Sequence, residues 1–198
     1  MLNLILVRHG ETAGDLRHTA LGTTDLPLTD RGKRQVYALS RVFALQKPEA
    51  VYTSPLIRAK ETAEAIAKPH GITPEPLLDL CERRYGVWEN LLFDVIRTQF
   101  AEEYAAWQAD PLDYVIPLGE SVRECYERNI RMTEELLRKH NSGTVILVTH
   151  ADCIRNICAY LLGLGIEGAS HFTPNTGSIC RFQIDERGHG VLTSFNEF

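Results

Sequence analysis

The strongest constraint on the fold is a pair of short apolar runs that each end on histidine. Residues 2–7 ("LNLILV") run into Arg8 and His9, and residues 144–149 ("TVILVT") run into His150. The second run is β-branched, and both are too short to be helices, so they read as interior strands of a parallel sheet. Open parallel sheets bind ligands beyond the carboxyl ends of their strands, which makes the residues just after these runs the first to question.

The rest of the chain fits around such a sheet. Residues 50–53 ("AVYT") form a third, weaker strand candidate, followed by "SPLIRAKETAEAIA", where Ser54 can cap a helix with Pro55 in its first turn. Between the first and third strands, Thr29 or Asp30 can cap a helix with apolar residues at Val36, Leu39, Val42, Phe43 and Leu45, the crossover of a βαβ unit. Ser121 and Glu124 make a capping box for a helix reaching about Lys139. After His150, "DCIRNICAYLLG" is helical, and "SICRFQI" and "VLTSF" alternate as strands of a closing hairpin or sheet edge. Residues 91–119 are less regular, an amphipathic piece ("FDVIRTQFAEEYAAW") and a proline-punctuated loop, and read as a helical lid insertion. The expected fold class is α/β: a mostly parallel central sheet with helices on both faces, in one domain over residues 1–198.

Composition removes several classes of function. With 21 Lys and Arg against 26 Asp and Glu, the formal charge is -5, which leaves no broad basic surface for nucleic acid. Any anion must be held by a local cluster. The five cysteines are an odd number without a C-x-x-C pair, as expected of a protein in the reducing cytoplasm. There is no secretory signal pattern and no uninterrupted apolar run of about 18 residues, so neither export nor a membrane partner is expected.

Arg8, His9 and His150 all follow strands, and Arg58 lies in the first turn of the helix after the third one. A lone histidine at a strand end is usually a polar boundary residue, and a lone arginine near a helix start is usually a surface charge. Three strand ends delivering such groups to one edge make an oxyanion site, with phosphate as the natural guest and a small-molecule phosphomonoester as the expected partner.

The blocks "LVRHGET" (6–12), "GTTDLPLTDRGKRQ" (22–35), "TSPLIRAKETA" (53–63), "LCERRYGVWEN" (80–90) and "VTHADCIR" (148–155) resemble, in order, those of the histidine phosphatase, or phosphoglycerate mutase-like, superfamily. The resemblance implies that His9 is the nucleophile that becomes phosphorylated. It implies that Arg8, Arg58 and a protonated His150 bind the phosphoryl oxygens and that Glu82 protonates the leaving oxygen. It implies neither cofactor nor metal. Phosphoryl transfer asks mainly for positioning and charge stabilisation, which guanidinium forks supply, and a glutamate beside phosphate has its pKa raised by like charge. Gly10 is expected to let the backbone approach the phosphate, Ala151 to offer its N–H, and His18, Gly22 and Tyr85 to line the substrate pocket.

The sequence departs from the family pattern in three places. Asp15 stands where an asparagine is usual among the phosphate ligands, and a carboxylate is an acceptor rather than a donor. His150 is followed by Ala151 and Asp152 instead of two glycines, with Asp152 expected to cap the next helix. Asn90 replaces a glycine in the loop behind Glu82.

Cys125 and Arg131 have the C-x5-R spacing of cysteine phosphatases, but the intervening "YERNI" lacks glycine and lies in an expected helix, so the match is coincidental. His70, His140, His171 and His189 lack metal-ligand spacing. Trp88, Phe93, Phe100, Tyr104 and Trp107 either form the apolar face of the lid or stack on a flat substrate ring. The resemblance favours a phosphatase over a mutase, because the chain lacks a long arginine-bearing insert, and within the family it is nearest to the α-ribazole phosphatases. The alternatives are a broad-specificity or sugar-phosphate phosphatase, a phosphoglycerate mutase, and a non-catalytic phosphate-recognition module.

Overall fold

The computed structural model describes residues 1–197. Six strands, β1 (Leu2–Arg8), β2 (Ala50–Thr53), β3 (Glu75–Pro76), β4 (Gly143–Thr149), β5 (Ile179–Ile184) and β6 (Gly190–Glu197), form one sheet in the order β3-β2-β4-β1-β5-β6. The β3-β2-β4-β1 part is parallel, and β5 and β6 close the other edge antiparallel. The mostly parallel sheet is as expected; β3, with only two residues, has no sequence signal.

The described residues form seven α-helices: α1 (Ala13–Arg17), α2 (Asp30–Phe43), α3 (Ile57–Ala67), α4 (Phe93–Gln99), α5 (Ala101–Ala109), α6 (Val122–Lys139) and α7 (Ala151–Leu161). The two-residue period of the strands assigns the helices to faces. Leu2, Leu4 and Leu6 point to one side with Val145 and Leu147, where Met132 and Leu136 of α6 and Ile154, Ile157 and Leu161 of α7 cover them. Ile5, Val7, Ile146 and Val148 point to the other, under Leu39 and Phe43 of α2 and Ala63 and Ile66 of α3. No helix among the described residues is long and apolar enough to cross a membrane.

Local expectations hold where the partner is near in sequence. Thr29 caps α2 by accepting from the Gly32 N–H, and Ser121 and Glu124 form the capping box of α6. Three fail. Val42 and Leu45 are exposed, because α2 buries the stripe Val36, Leu39 and Phe43 and ends before Leu45. Ser54 does not cap α3, which starts three residues later with Leu56 as a cap that makes no side-chain bond. The single amphipathic piece in residues 91–119 is two helices, broken at Phe100, whose φ of -123° and ψ of 44° are not helical.

Candidate active site

The register of the sheet assembles the site. Arg8 is level with Thr149 across the β1–β4 ladder, and Thr53 is level with Val148 across β2–β4. His9 and His150 therefore stand abreast beyond the carboxyl ends of β1 and β4, with Ser54 one step behind, level with Thr149. The His9 N–H donates to the Thr149 carbonyl at 3.1 Å, and the two histidine rings lie 4.9 Å apart between centroids.

His9 is buried, and its two ring nitrogens have different partners. Nδ1 lies 2.7 Å from the Gly10 carbonyl, which fixes the proton there, and Nε2 accepts from Arg58 Nε at 3.3 Å. Burial first, and then the charge of Arg58, lower the His9 pKa from 6.5 to about 3, while the charge of Asp15 opposes them. At neutral pH the imidazole is neutral and Nε2 carries a lone pair. Gly10 also has a packing role: a Cβ would sit 2.7 Å from the Gly32 carbonyl, so glycine allows α2 to approach the end of β1.

Arg58 is fully buried, and all three of its nitrogens are engaged: Nε on His9, Nη1 on the Thr24 carbonyl at 3.0 Å and Nη2 on the Gly22 carbonyl at 2.7 Å. The residue that holds those two carbonyls in place is Glu89, which sequence reasoning missed. Its carboxylate accepts from the backbone N–H groups of Gly22, Thr23, Thr24 and Tyr85, at 2.9 to 3.2 Å, and from the Thr24 hydroxyl. Gly22 does not line the cavity as expected. It is a strut for Arg58, packed so closely that a Cβ would lie 2.3 Å from the Arg83 carbonyl.

Arg8 donates Nη1 to the Pro174 carbonyl at 2.8 Å and Nη2 to Asp15 at 2.5 Å, while its buried Nε has no protein acceptor. Asp15 also accepts from the N–H and hydroxyl of Thr12, closing the capping box of α1. Burial raises the Asp15 pKa, but the charge of Arg8 and the two hydrogen bonds from Thr12 outweigh it and bring it below its ordinary value. Asp15 is thus a partner of Arg8, and as a carboxylate it has no proton to offer an anion.

His150 is fully buried, with Nε2 2.8 Å from Ser54 Oγ and Nδ1 without a partner. Burial, then the charges of Arg58 and His9, push its pKa well below 6.5. Ser54, read from the sequence as a helix cap, is instead the partner of this ring across 96 residues.

Glu82 accepts from its neighbour's N–H, that of Arg83, at 2.9 Å and from the Asp152 N–H at 3.3 Å. Burial, reinforced by the negative charge of Asp152, raises its pKa from 4.5 to about 8, so it carries a proton at neutral pH. Asp152 is not the cap of α7; His150 occupies that position. Its carboxylate takes Arg83 Nε and Arg155 Nη1, both at 2.9 Å, and the Tyr85 hydroxyl at 3.3 Å. Arg128 holds the backbone of the acid from the other side, donating to the Asp79, Cys81 and Glu82 carbonyls.

Arg8, His9, Asp15 and Glu82 line a cavity of about 850 Å³, with His18, Tyr85 and Ala151 also on its wall, as expected. Arg58 and His150 do not line it and are buried against His9. Phe93 lines it too, but Trp88, Tyr104 and Trp107 stack on one another at 5.5 to 6.4 Å in a separate apolar cluster that also holds Ala20, Ile96, Phe100 and Ile116, so most of these aromatics serve a small core beside the cavity. Among the described residues no three His, Cys, Asp or Glu side chains gather to hold a metal ion. The arrangement combines a neutral, oriented imidazole, cationic nitrogens around it and a protonated carboxyl across a cavity, the parts needed to move a phosphoryl group.

Known proteins share this plan. The family model described as "Histidine phosphatase superfamily (branch 1)" matches residues 4–197. Phosphoserine phosphatase 1 of Hydrogenobacter thermophilus is 28% identical over 192 residues, covering 97% of this chain and 91% of its own. The adenosylcobalamin/alpha-ribazole phosphatase of Escherichia coli K12 is 26% identical over 186 residues, 94% of this chain and 92% of its own. The crystal structure of the alpha-ribazole phosphatase from Shigella flexneri superposes with a TM-score of 0.91 at 26% identity, covering 98% of this chain and 96% of that one. Fold, site and a match over almost the whole length agree: the chain belongs to branch 1 of the histidine phosphatase superfamily.

Proposed function

We propose that the protein hydrolyses a phosphomonoester through a phosphohistidine on His9, and that its substrate is α-ribazole 5′-phosphate, a step of cobalamin biosynthesis. The observation that carries the chemistry is the division of labour on the His9 ring, with Nδ1 on the Gly10 carbonyl and Nε2 bare except for Arg58 Nε. Nε2 attacks phosphorus as the ester P–O bond breaks, and Glu82 passes its proton to the leaving oxygen. The Glu82 carboxylate then takes a proton from water as that water displaces His9 from phosphorus, releasing phosphate and restoring the acid. Arg8 Nε and Arg58 stabilise the charge on the equatorial oxygens. If the Ser54 hydroxyl donates to His150 Nε2, the proton of this ring sits on Nδ1, which then serves as a third donor to those oxygens.

The substrate reading rests on size and likeness. A cavity of about 850 Å³ suits a nucleotide-like ester, with Phe93 and Tyr85 to face its base, and relatives named for alpha-ribazole cover the chain from end to end. A second reading is favoured by Arg31 and Arg155 on the cavity wall, which suit a carboxylate such as that of phosphoserine. Initial rates on α-ribazole 5′-phosphate, phosphoserine, 3-phosphoglycerate and common sugar phosphates separate these. The highest kcat/KM should fall on the ribazole ester, with phosphate released free. A higher value for phosphoserine or a sugar phosphate overturns the substrate, and phosphate transferred to an acceptor overturns hydrolysis.

A further inference from the structure

A second cavity, of about 460 Å³, lies behind the acid's supporting network. Trp107 of α5, Leu112, Val122 of α6 and Ile166 line it, and its walls are largely apolar. Its charged members are Arg83 and Arg155, already neutralised in part by Asp152, and Glu167 on the exposed side. Arg83 is 8% exposed and spends Nε on Asp152, but its buried Nη1 has no acceptor in the protein. Trp107 Nε1, on the same cavity, is buried without an acceptor as well. Polar N–H groups buried without partners are rare and costly, and two beside one apolar cavity are a demand for an oxygen acceptor from outside the chain.

We propose that this cavity is a binding site for a small molecule with a ring-sized apolar body and one carboxylate, separate from the phosphate pocket. The carboxylate takes the open Nη1 of Arg83 and the indole N–H of Trp107, and the body lies against Leu112, Val122 and Ile166. The volume falls within the usual range for small-molecule sites. Asp152 and Arg155 line both cavities, so the two sites share one ion pair. The occupant is a ligand rather than a second substrate: the nucleophile on this cavity, Cys125, is a fully buried thiol whose pKa is pushed up by a neighbouring thiol and by burial.

Phenylacetate is the probe, with phenylacetamide as its uncharged control, titrated into the full chain by calorimetry and by the indole N–H resonance of Trp107. Phenylacetate should bind one to one and shift that resonance, and saturating inorganic phosphate should change its affinity by less than about twofold. Leu112→Trp and Val122→Phe, which fill the cavity from two different elements, should each weaken it by about tenfold or more while phosphatase turnover persists. The proposal is overturned if phosphate displaces phenylacetate, if both filled variants bind it like the wild type, if the amide binds as tightly as the acid, or if no saturation is seen up to about 10 mM.

Discussion

Arg58 Nε lies 3.3 Å from His9 Nε2, so a fully buried guanidinium is already seated against the one imidazole nitrogen that the backbone leaves open. The same guanidinium is locked by two loop carbonyls, which makes its planar fork a fixed part of the scaffold. Arg58→Lys keeps the charge and loses the fork. It should lower kcat/KM by about 10²–10³-fold, and unpairing the Gly22 and Thr24 carbonyls should cost about 1–3 kcal/mol each. Steady-state kinetics and urea denaturation read the two effects separately.

Glu82 sets the alkaline limit. Its pKa of about 8 leaves the acid form in place at neutral pH, and kcat/KM should fall tenfold per unit above that value. Glu82→Gln should remove the limb and cost about 10²–10⁴-fold on an alkyl phosphate, with a much smaller loss on p-nitrophenyl phosphate, whose leaving group needs no proton. The stability sign follows from the same shift. Above the ordinary pKa of 4.5 the unfolded chain loses this proton while the folded chain keeps it, so stability falls as pH rises from there to about 8. The Tm of Glu82→Gln should therefore gain on the wild type between about pH 5 and pH 9.

Glu89 is predicted to act at a distance. Glu89→Gln places an amide among four backbone N–H donors that a carboxylate now satisfies, loosening the loop whose carbonyls hold Arg58. A loss of about 2–3 kcal/mol in stability is expected, together with a fall of about tenfold in kcat with KM little changed. A KM effect alone would mean that the loop shapes the substrate pocket instead.

Asp15 places a negative charge on Arg8, next to where phosphate is expected. Asp15→Asn should tighten inhibition by inorganic phosphate about tenfold, equivalent to about 1.4 kcal/mol. It should also lower the His9 pKa further, because the Asp15 charge now raises it. An unchanged inhibition constant would show that the carboxylate does not sense the bound anion.

What the sequence made legible was local or periodic. β1, β2 and β4 announce themselves as apolar runs, and Thr29 and Ser121 as caps, because their partners lie within a few residues. His9, Arg8 and His150 stood out by following strands. Ser54, Asp152 and Glu89 were misread or missed because the partners that define their roles, His150, Arg83 and the Thr24 N–H, are 65 to 96 residues away, and a short-range cap was the only role visible for the first two. The depressed pKa of His150 was equally hidden, since burial by distant elements, not its neighbours in sequence, lowers it. The aromatics of residues 88–107 carried the right hydrophobicity, but their direction, toward one another and not toward the ligand, is a property of tertiary packing.

The most direct test is rapid acid-free quenching of a single turnover with 32P-labelled substrate, followed by mapping of the labelled residue. The mechanism predicts a burst of up to one phosphoryl group per chain, stable in alkali and labile in acid, on Nε2 of His9 and absent from His9→Ala. No phosphoenzyme on the turnover timescale, label on another residue, or turnover retained by His9→Ala would contradict it.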